Sequence, residues 1–343
     1  MNFSKKLQNW YRQNKRPLPW REFKNPYQVW LSEIIMQQTR IEQGLPYYYK
    51  FVTNFPTVFD LAQAEEETVL KLWQGLGYYS RARNLHHTAK TIVDEYNGVF
   101  PETHQELIKL KGIGDYTASA IASICFNGPQ AVVDGNVYRV LSRVFGVKTP
   151  IDSSEGQKEF KELAQTLIDK KNPGEHNQAL MEFGSLYCKP SKPDCLSCIF
   201  SDNCLAYAKN EVEILPVKVG KTKIKNRYFH YLAVVSEDDK TLLNKRLGNG
   251  IWKNLYELPL IETNTLRHIS RDEIEEKLNG IEVKNAVVFN ENAFVHKLSH
   301  QHLSIYFWIV YTKKLNQNGI AISEIEKYPV PVVVEKFISN FEF

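Results

Sequence analysis

Apolar residues recur at helical spacing from Phe3 to about Ala208, and the pattern changes after that point. Glu33-Ile34-Ile35-Met36, Val69-Leu70 with Leu72-Trp73, and Ala118-Ala120-Ile121-Ile124 each predict a buried helical face. Gly75, Gly77, Gly112, Gly114 and Gly135 mark breaks between helices, and no hairpin signal stands out. This half predicts an all-α domain. Beyond Ile214–Arg227, the run Tyr228–Val235 is β-branched and aromatic, as a buried strand would be. Similar runs occupy Val283–Phe289 and Leu303–Tyr311, and helical patterns return at Arg271–Leu278 and Pro331–Ser339. The expected organisation is an all-α domain over 1–213, a basic linker over 214–227, and a smaller α+β domain over 228–343.

A chain of 343 residues suits two domains better than one. Net charge is only +4, but residues 1–50 hold nine Lys/Arg against three acids, and 214–227 hold five against none. Such stretches suit a polyanion or a solvated surface. No signal-peptide core or membrane-spanning run is present, so the expectation is a soluble, cytoplasmic protein, nucleoid-associated in a bacterium. Four of five cysteines crowd between 188 and 204. In a reducing compartment that crowding argues for metal rather than disulfides.

Cys188, Cys195, Cys198 and Cys204 form a Cys-x6-Cys-x2-Cys-x5-Cys array, able to close a zinc site or hold a cubane cluster. Leu110-Lys111-Gly112-Ile113-Gly114 followed by Ala/Ser-rich sequence predicts a tight turn opening a helix, whose backbone N–H groups can meet a phosphate. Asp134 follows the apolar run Val132-Val133 at another helix start, where it serves as a plain N-cap or as a carboxylate kept ionised by the helix dipole. Glu33 sits mid-helix beside Trp30 and Ile34, which would partly desolvate it and raise its pKa.

Together these segments, with Trp73-Gln74-Gly75-Leu76-Gly77-Tyr78-Tyr79-Ser80-Arg81-Ala82-Arg83-Asn84-Leu85, resemble the helix-hairpin-helix DNA glycosylases that carry an iron–sulfur cluster, and more narrowly the MutY type of adenine DNA glycosylase. The resemblance implies an all-α helix-hairpin-helix domain with a [4Fe-4S] loop at 188–204, followed by a Nudix-like α+β domain. It implies excision of adenine opposite 8-oxoguanine or guanine in double-stranded DNA by a monomeric enzyme. By it, Glu33 protonates the base, Asp134 stabilises the oxocarbenium-like sugar and Asn136 orients the reacting groups. Gln38 and Tyr78 wedge into the duplex, Gly112 and Gly114 meet its backbone, and Arg16, Leu18, Trp20, Arg21, Ile41 and Glu182 line the adenine pocket, Glu182 accepting from the exocyclic amine.

Two departures sharpen that expectation. Endonuclease III-like relatives place a nucleophilic lysine two residues after the hairpin's second glycine; here that position is Tyr116, which implies a monofunctional glycosylase. The family's Phe-Ser-His turn, which reads 8-oxoguanine, is matched by Leu298, Ser299 and His300, so an aliphatic side chain replaces the ring. No glutamate-rich pyrophosphatase box is evident in the second half, which disfavours nucleotide hydrolysis. A module that only grips DNA backbone would need neither Glu33 nor Asp134, since both repel phosphate.

Overall fold

The computed structural model describes residues 3–220, 223–315 and 319–341. Lys221 and Thr222 of the basic linker, and residues 342 and 343 at the end of the expected second domain, lie outside them. The chain divides into two compact units: residues 1–63 with 84–220, and residues 64–83 with 221–343.

The first unit is helical: α1 (Phe3–Asn14), α2 (Pro26–Ile35), α3 (Ile41–Asn54) and α4 (Val58–Gln63), then, beyond residue 83, most of α6 (Ser80–Tyr96) and α7 (His104–Leu107), α8 (Asp115–Phe126), α9 (Gly135–Phe145), α10 (Ser154–Leu167), α11 (Pro173–Leu186) and α12 (Leu205–Ala208). Strands are absent from its described residues. Local signals explain the starts that matter. Asn25 caps α2 by accepting from Tyr27 and Gln28 N–H, with Pro26 at the first position. Asp134 caps α9 by accepting from Val137 N–H. Helix α8 buries Thr117 through Ile124 without interruption, so small residues there let neighbouring helices approach on every side. Gly112 has φ +80°, and a Cβ there would sit 2.6 Å from the Asn84 side chain; no other residue type fits that turn. Phe3, Leu7, Trp10, Phe160, Phe183 and Phe200 fill the core beneath α9 and α11, with Phe3 stacked on Phe200 at 4.8 Å.

Part of the expected linker belongs to this unit. Ile151 N–H donates to Val217 O at 3.0 Å, and the Val219 and Gly220 amides donate to the Asp152 carboxylate.

The second unit is α+β. Its sheet runs in the order β5 (Leu260–Thr263), β1 (Lys225–Ser236), β8 (Gln301–Thr312), β6 (Asn285–Val288), with β7 (Phe294–Lys297) also on β8. The long central pair β1·β8 is parallel and in register from Lys225/Gln301 to Ser236/Thr312; the other pairs are antiparallel. Six consecutive buried residues in both central strands mean that both sheet faces are covered. Leu232, Val234, Trp308 and Val310 pack with Ile274 of α13 (Arg271–Lys277) and with Leu278 just beyond its end. On the other face Phe307 stacks on Phe337 of α14 (Val332–Asn340) at 4.2 Å. Short pairs β2 (Lys240–Thr241) with β9 (Ile320–Ala321), and β3 (Asn244–Lys245) with β4 (Tyr256–Glu257), complete it.

The sequence pattern carried no sign that residues 64–83 pack in this unit. Helix α5 (Glu66–Trp73) is held there by named bonds: Glu66 accepts from Asn254, Glu67 from Lys245 and Tyr256, and Gln74 from the Val330 amide. Arg83 donates to Lys253 O at 2.8 Å.

Candidate active site

In the helical unit, α2, α8 and the start of α9 bring two carboxylates together. Tyr116 Oη, in the first turn of α8, donates to Glu33 Oε2 at 2.6 Å. Burial pushes Glu33 up to about 7, and the nearby Asp134 charge adds to the rise, while the Tyr116 bond and Arg21 oppose it. A carboxyl poised there holds a proton near neutrality. The Tyr116 hydroxyl, buried against the same carboxylate, is pushed far above its ordinary range.

Asp134 has the expected helix-start geometry. Its Oδ1 accepts from Val137 N–H at 2.8 Å and its Oδ2 from Asn136 Nδ2 at 2.9 Å. Burial nevertheless raises its pKa, and those bonds with the nearby Arg139 pull it back, so the helix start does not act unopposed. Asn136 is itself fixed, its Oδ1 accepting from Arg139 Nη2 at 2.8 Å.

Sequence reasoning missed Arg139 and Arg143. Arg139 also donates to Gly184 O at 2.6 Å and Cys188 O at 2.8 Å. Arg143, one turn on and 2 % exposed, donates to Lys189 O, Pro190 O and Leu215 O. Both tie the helix that starts at Asp134 to the cysteine loop. Their four-residue spacing on α9 was the available signal, since it puts two guanidiniums on one face. Gly184 allows the approach, for a Cβ there would meet Asn136 Cβ at 2.7 Å.

Glu182 proves to be something other than an open acceptor. It is 1 % exposed. Its Oε1 accepts from Arg16 N, Arg16 Nε and Arg21 Nη1, and its Oε2 from Arg16 Nη2 and Arg21 Nη2, all between 2.6 and 3.0 Å. Burial alone would push this carboxyl up, but the two arginines hold it at about 2. Five donors fill the lone pairs of one carboxylate, so nothing is left for an exocyclic amine. Arg16 and Arg21 are correspondingly engaged by Glu182, with Arg16 half-buried and Arg21 more deeply covered. Leu18 and Trp20 are buried beside them, Trp20 edge-on to Tyr48 at 4.9 Å, and Ile41 opens α3 half-buried.

Gly112 and Gly114 form the turn before α8 as expected, with Gly114 at the N-cap. Gln38 is exposed with φ 53°, a strained conformation for a non-glycine residue.

The second unit has its own pocket, of about 410 Å³, lined by Leu76–Ser80, Arg83, Gly250–Trp252 and Lys297–Gln301. It joins Tyr78, 45 % exposed with φ 48°, to the β7–β8 hairpin tip. Leu298 N–H donates to Gln301 O to close that tip, and Ser299 Oγ lies 3.1 Å from His300 Nδ1. Among the described residues no carboxylate lines this pocket. Two of the four acids of α13 are engaged elsewhere: Glu273 caps the helix and pairs with Arg267, and Glu275 pairs with Arg271.

Cys188, Cys195, Cys198 and Cys204 all line one cavity, with Arg143 and Tyr187 in its wall. Among the described residues no three His, Cys, Asp or Glu side chains close around a single metal ion. No helix of the described residues is long and apolar enough to cross a membrane.

Residues 31–166 match the model of the HhH-GPD superfamily of base excision DNA repair proteins, and residues 230–340 match that of the NUDIX domain. Over 315 residues the chain is 35% identical to the adenine DNA glycosylase of Buchnera aphidicola subsp. Baizongia pistaciae, covering 91% of this chain and 87% of that one. It is 42% identical to the human adenine DNA glycosylase over 222 residues, 62% of this chain and 41% of that one. The solved structure of a thermostable thymine-DNA glycosylase matches with TM-score 0.56 and 28% identity, over 60% of this chain and 95% of the other. Fold and site therefore define a helix-hairpin-helix base-excision DNA repair glycosylase, a hydrolase of N-glycosyl bonds with a Nudix-like second domain. Within that class, the chain belongs to the adenine DNA glycosylase family.

Proposed function

We propose that this chain removes adenine paired with 8-oxoguanine or guanine in double-stranded DNA, without efficient strand cleavage. The observation that carries the reading is the carboxyl pair: Glu33, its pKa raised to about 7 in its half-buried seat against Tyr116, beside Asp134 at the start of α9. Adenine cannot be attacked inside the stack and must first be flipped out. Gln38 and Tyr78, both strained and exposed, suit residues that hold the opened duplex. Glu33 then gives its proton to a ring nitrogen, so that the base leaves neutral. Asp134 stabilises the positive charge that develops on the sugar, and Asn136, locked by Arg139, keeps that carboxylate aimed. Arg16 and Arg21 shape the base pocket as a rigid wall with Glu182 as their anchor rather than as a base contact.

Tyr116 occupies the place of the lyase lysine, and its hydroxyl is bound to Glu33, so no amine is available there for a Schiff base. Leu298, Ser299 and His300 sit with Tyr78 in one pocket, which supports their reading of the base opposite adenine. Cys188, Cys195, Cys198 and Cys204, which line one cavity, would hold a [4Fe-4S] cluster, the group that the resemblance to iron–sulfur glycosylases implies. When bound, the cluster crosslinks the 188–204 loop through four thiolates. Anaerobically purified protein should carry about four iron atoms per chain; stoichiometric zinc without iron would rule the cluster out.

The deciding experiment measures base release and strand nicking on duplexes with adenine opposite 8-oxoguanine, guanine, cytosine or thymine. Release opposite the first two with slower nicking is expected. Absence of release, or nicking as fast as release, overturns the proposal.

A further inference from the structure

Residues 128–134 link α8 to α9 without regular secondary structure and without a strand to pair with in the described residues of this unit. Their backbone polar groups must still be satisfied, because Ala131 and Val132 are 1 % exposed. Side chains do this. Gln165 of α10 donates to Pro129 O at 2.6 Å and accepts from Ala131 N–H at 3.0 Å. Asn177 of α11 donates to Gln130 O at 2.8 Å and accepts from Val132 N–H at 3.1 Å. The Ala131 carbonyl goes to Lys161 Nζ at 2.8 Å. Asp134 is thus suspended two residues beyond a segment gripped on both edges.

Lys161 differs from the other two. Its ammonium also meets Ser119 Oγ at 3.1 Å and Asp115 Oδ2 at 2.7 Å. Asp115 is the residue directly after Gly114, at the hairpin end of α8, and its other oxygen lies 2.9 Å from His104 Nε2. An unneutralised carboxylate there would repel the phosphate that the hairpin amides attract.

We propose that Lys161 is a positioning residue of the excision reaction, linking the phosphate-binding hairpin, through Asp115, to the segment that sets Asp134. The inference rests on the reading of Asp134 as the sugar-stabilising carboxylate. It makes the grip on DNA and the placement of that carboxylate one mechanical unit, with one ammonium serving both. The same cation explains how an acid is tolerated beside the hairpin.

The test separates the two duties in the full chain. Lys161→Met should weaken duplex binding and slow single-turnover adenine release by about 10- to 100-fold, the penalty expected of a slightly misplaced catalytic group. Adding Asp115→Asn should restore binding, because the uncompensated charge is gone, yet leave release slow, because Ala131 O is still untethered. Gln165→Met cuts a tether of the same segment without touching Asp115, and should slow release with binding intact. Near-ultraviolet circular dichroism confirms native packing, and Gln165→Met carries the test if Lys161→Met does not fold. Recovery of both binding and release in the double variant, or wild-type release from Gln165→Met, overturns the proposal. Failure of the wild-type chain to release adenine would instead defeat the functional reading beneath it.

Discussion

The two proposed sites, one in each unit, handle polar groups in opposite ways. In the helical unit the polar groups around the carboxyl pair are bonded within the chain at several points: Glu182 to two arginines, Asp134 to Val137 and Asn136, Asn136 to Arg139. In the second unit Ser299 and His300 are exposed on a hairpin tip and touch mainly each other. The difference follows from the work each proposed site must do. Charge developing on a sugar is stabilised only by groups already fixed in a water-poor setting, where they need no reorganisation. Reading a base edge requires donors and acceptors still free to meet it. Saturated networks serve the first need and open turns the second, so changes in the helical unit should be severe and indiscriminate, and changes in the turn mild and selective.

Glu33→Gln tests the severe end. The amide keeps shape but cannot supply the proton, so single-turnover release should fall by about 10²- to 10⁴-fold with duplex binding retained. Near-normal release would mean that the acid lies elsewhere and that the buried pair is structural.

Arg21→Met comes next. It leaves the buried Glu182 with one partner and should destabilise the protein by about 3 kcal/mol near neutral pH, read by chemical denaturation. The sign with pH is fixed by the depressed pKa. Glu182 contributes full stability above its ordinary 4.5 and loses it as pH falls towards about 2, so the gap between wild type and variant should close in acid. A gap independent of pH would attribute the loss to the Arg21 guanidinium lying over the Tyr11 ring instead.

How much of this was legible in the sequence also differs between units. Helices α2, α8 and α9 were readable from apolar residues at helical spacing, with a glycine turn ahead of α8 and a cap residue, Asp134, ahead of α9. The roles of Glu33 and Asp134 were suggested by those local contexts and by resemblance. Glu182 was not readable, because its partners lie 161 and 166 residues away and nothing local separates a free carboxylate from a saturated one. Arg139 and Arg143 left only their four-residue spacing as a signal, since the carbonyls they meet in the cysteine loop lie 46 to 49 residues away. In the second unit the long strands β1 and β8 were evident from continuous apolar runs, whereas pairs of two-residue strands such as β2–β9 carry no period at all. The grouping of 64–83 with this unit rests on polar bonds such as Glu67 to Tyr256, 189 residues apart, which no pattern reveals.

Changing Ser299 and His300 together to alanine probes the selective end. Loss of about two hydrogen bonds corresponds to roughly tenfold, and it should fall on excision opposite 8-oxoguanine while excision opposite guanine changes little. Equal losses on both substrates would make the hairpin a general DNA grip. Lesion preference would then have to come from the helical unit, and the contrast between the units would lose its functional meaning.

The smallest effect is the most diagnostic of mechanism. Tyr116→Phe removes the hydroxyl that donates to Glu33 Oε2 and leaves the ring in place. That bond favours the ionised carboxylate, whereas burial and Asp134 favour the protonated form. Deleting it should therefore move Glu33 further up from about 7, by about one unit for a bond to a charged group. The rate of release needs the protonated acid, so the descending limb of the single-turnover pH profile should shift to higher pH in the variant. At pH 8 the variant should lose less of its own maximal rate than wild type does, even if that maximum is a few-fold lower because the acid is held less firmly. The shift should be the same opposite 8-oxoguanine and guanine, because the proton goes to adenine in both pairs. A limb that stays in place would separate the titrating group from Glu33. A limb that moves to lower pH would mean that the phenol holds the proton on the carboxyl, and the direction of the Tyr116–Glu33 bond would have to be reversed.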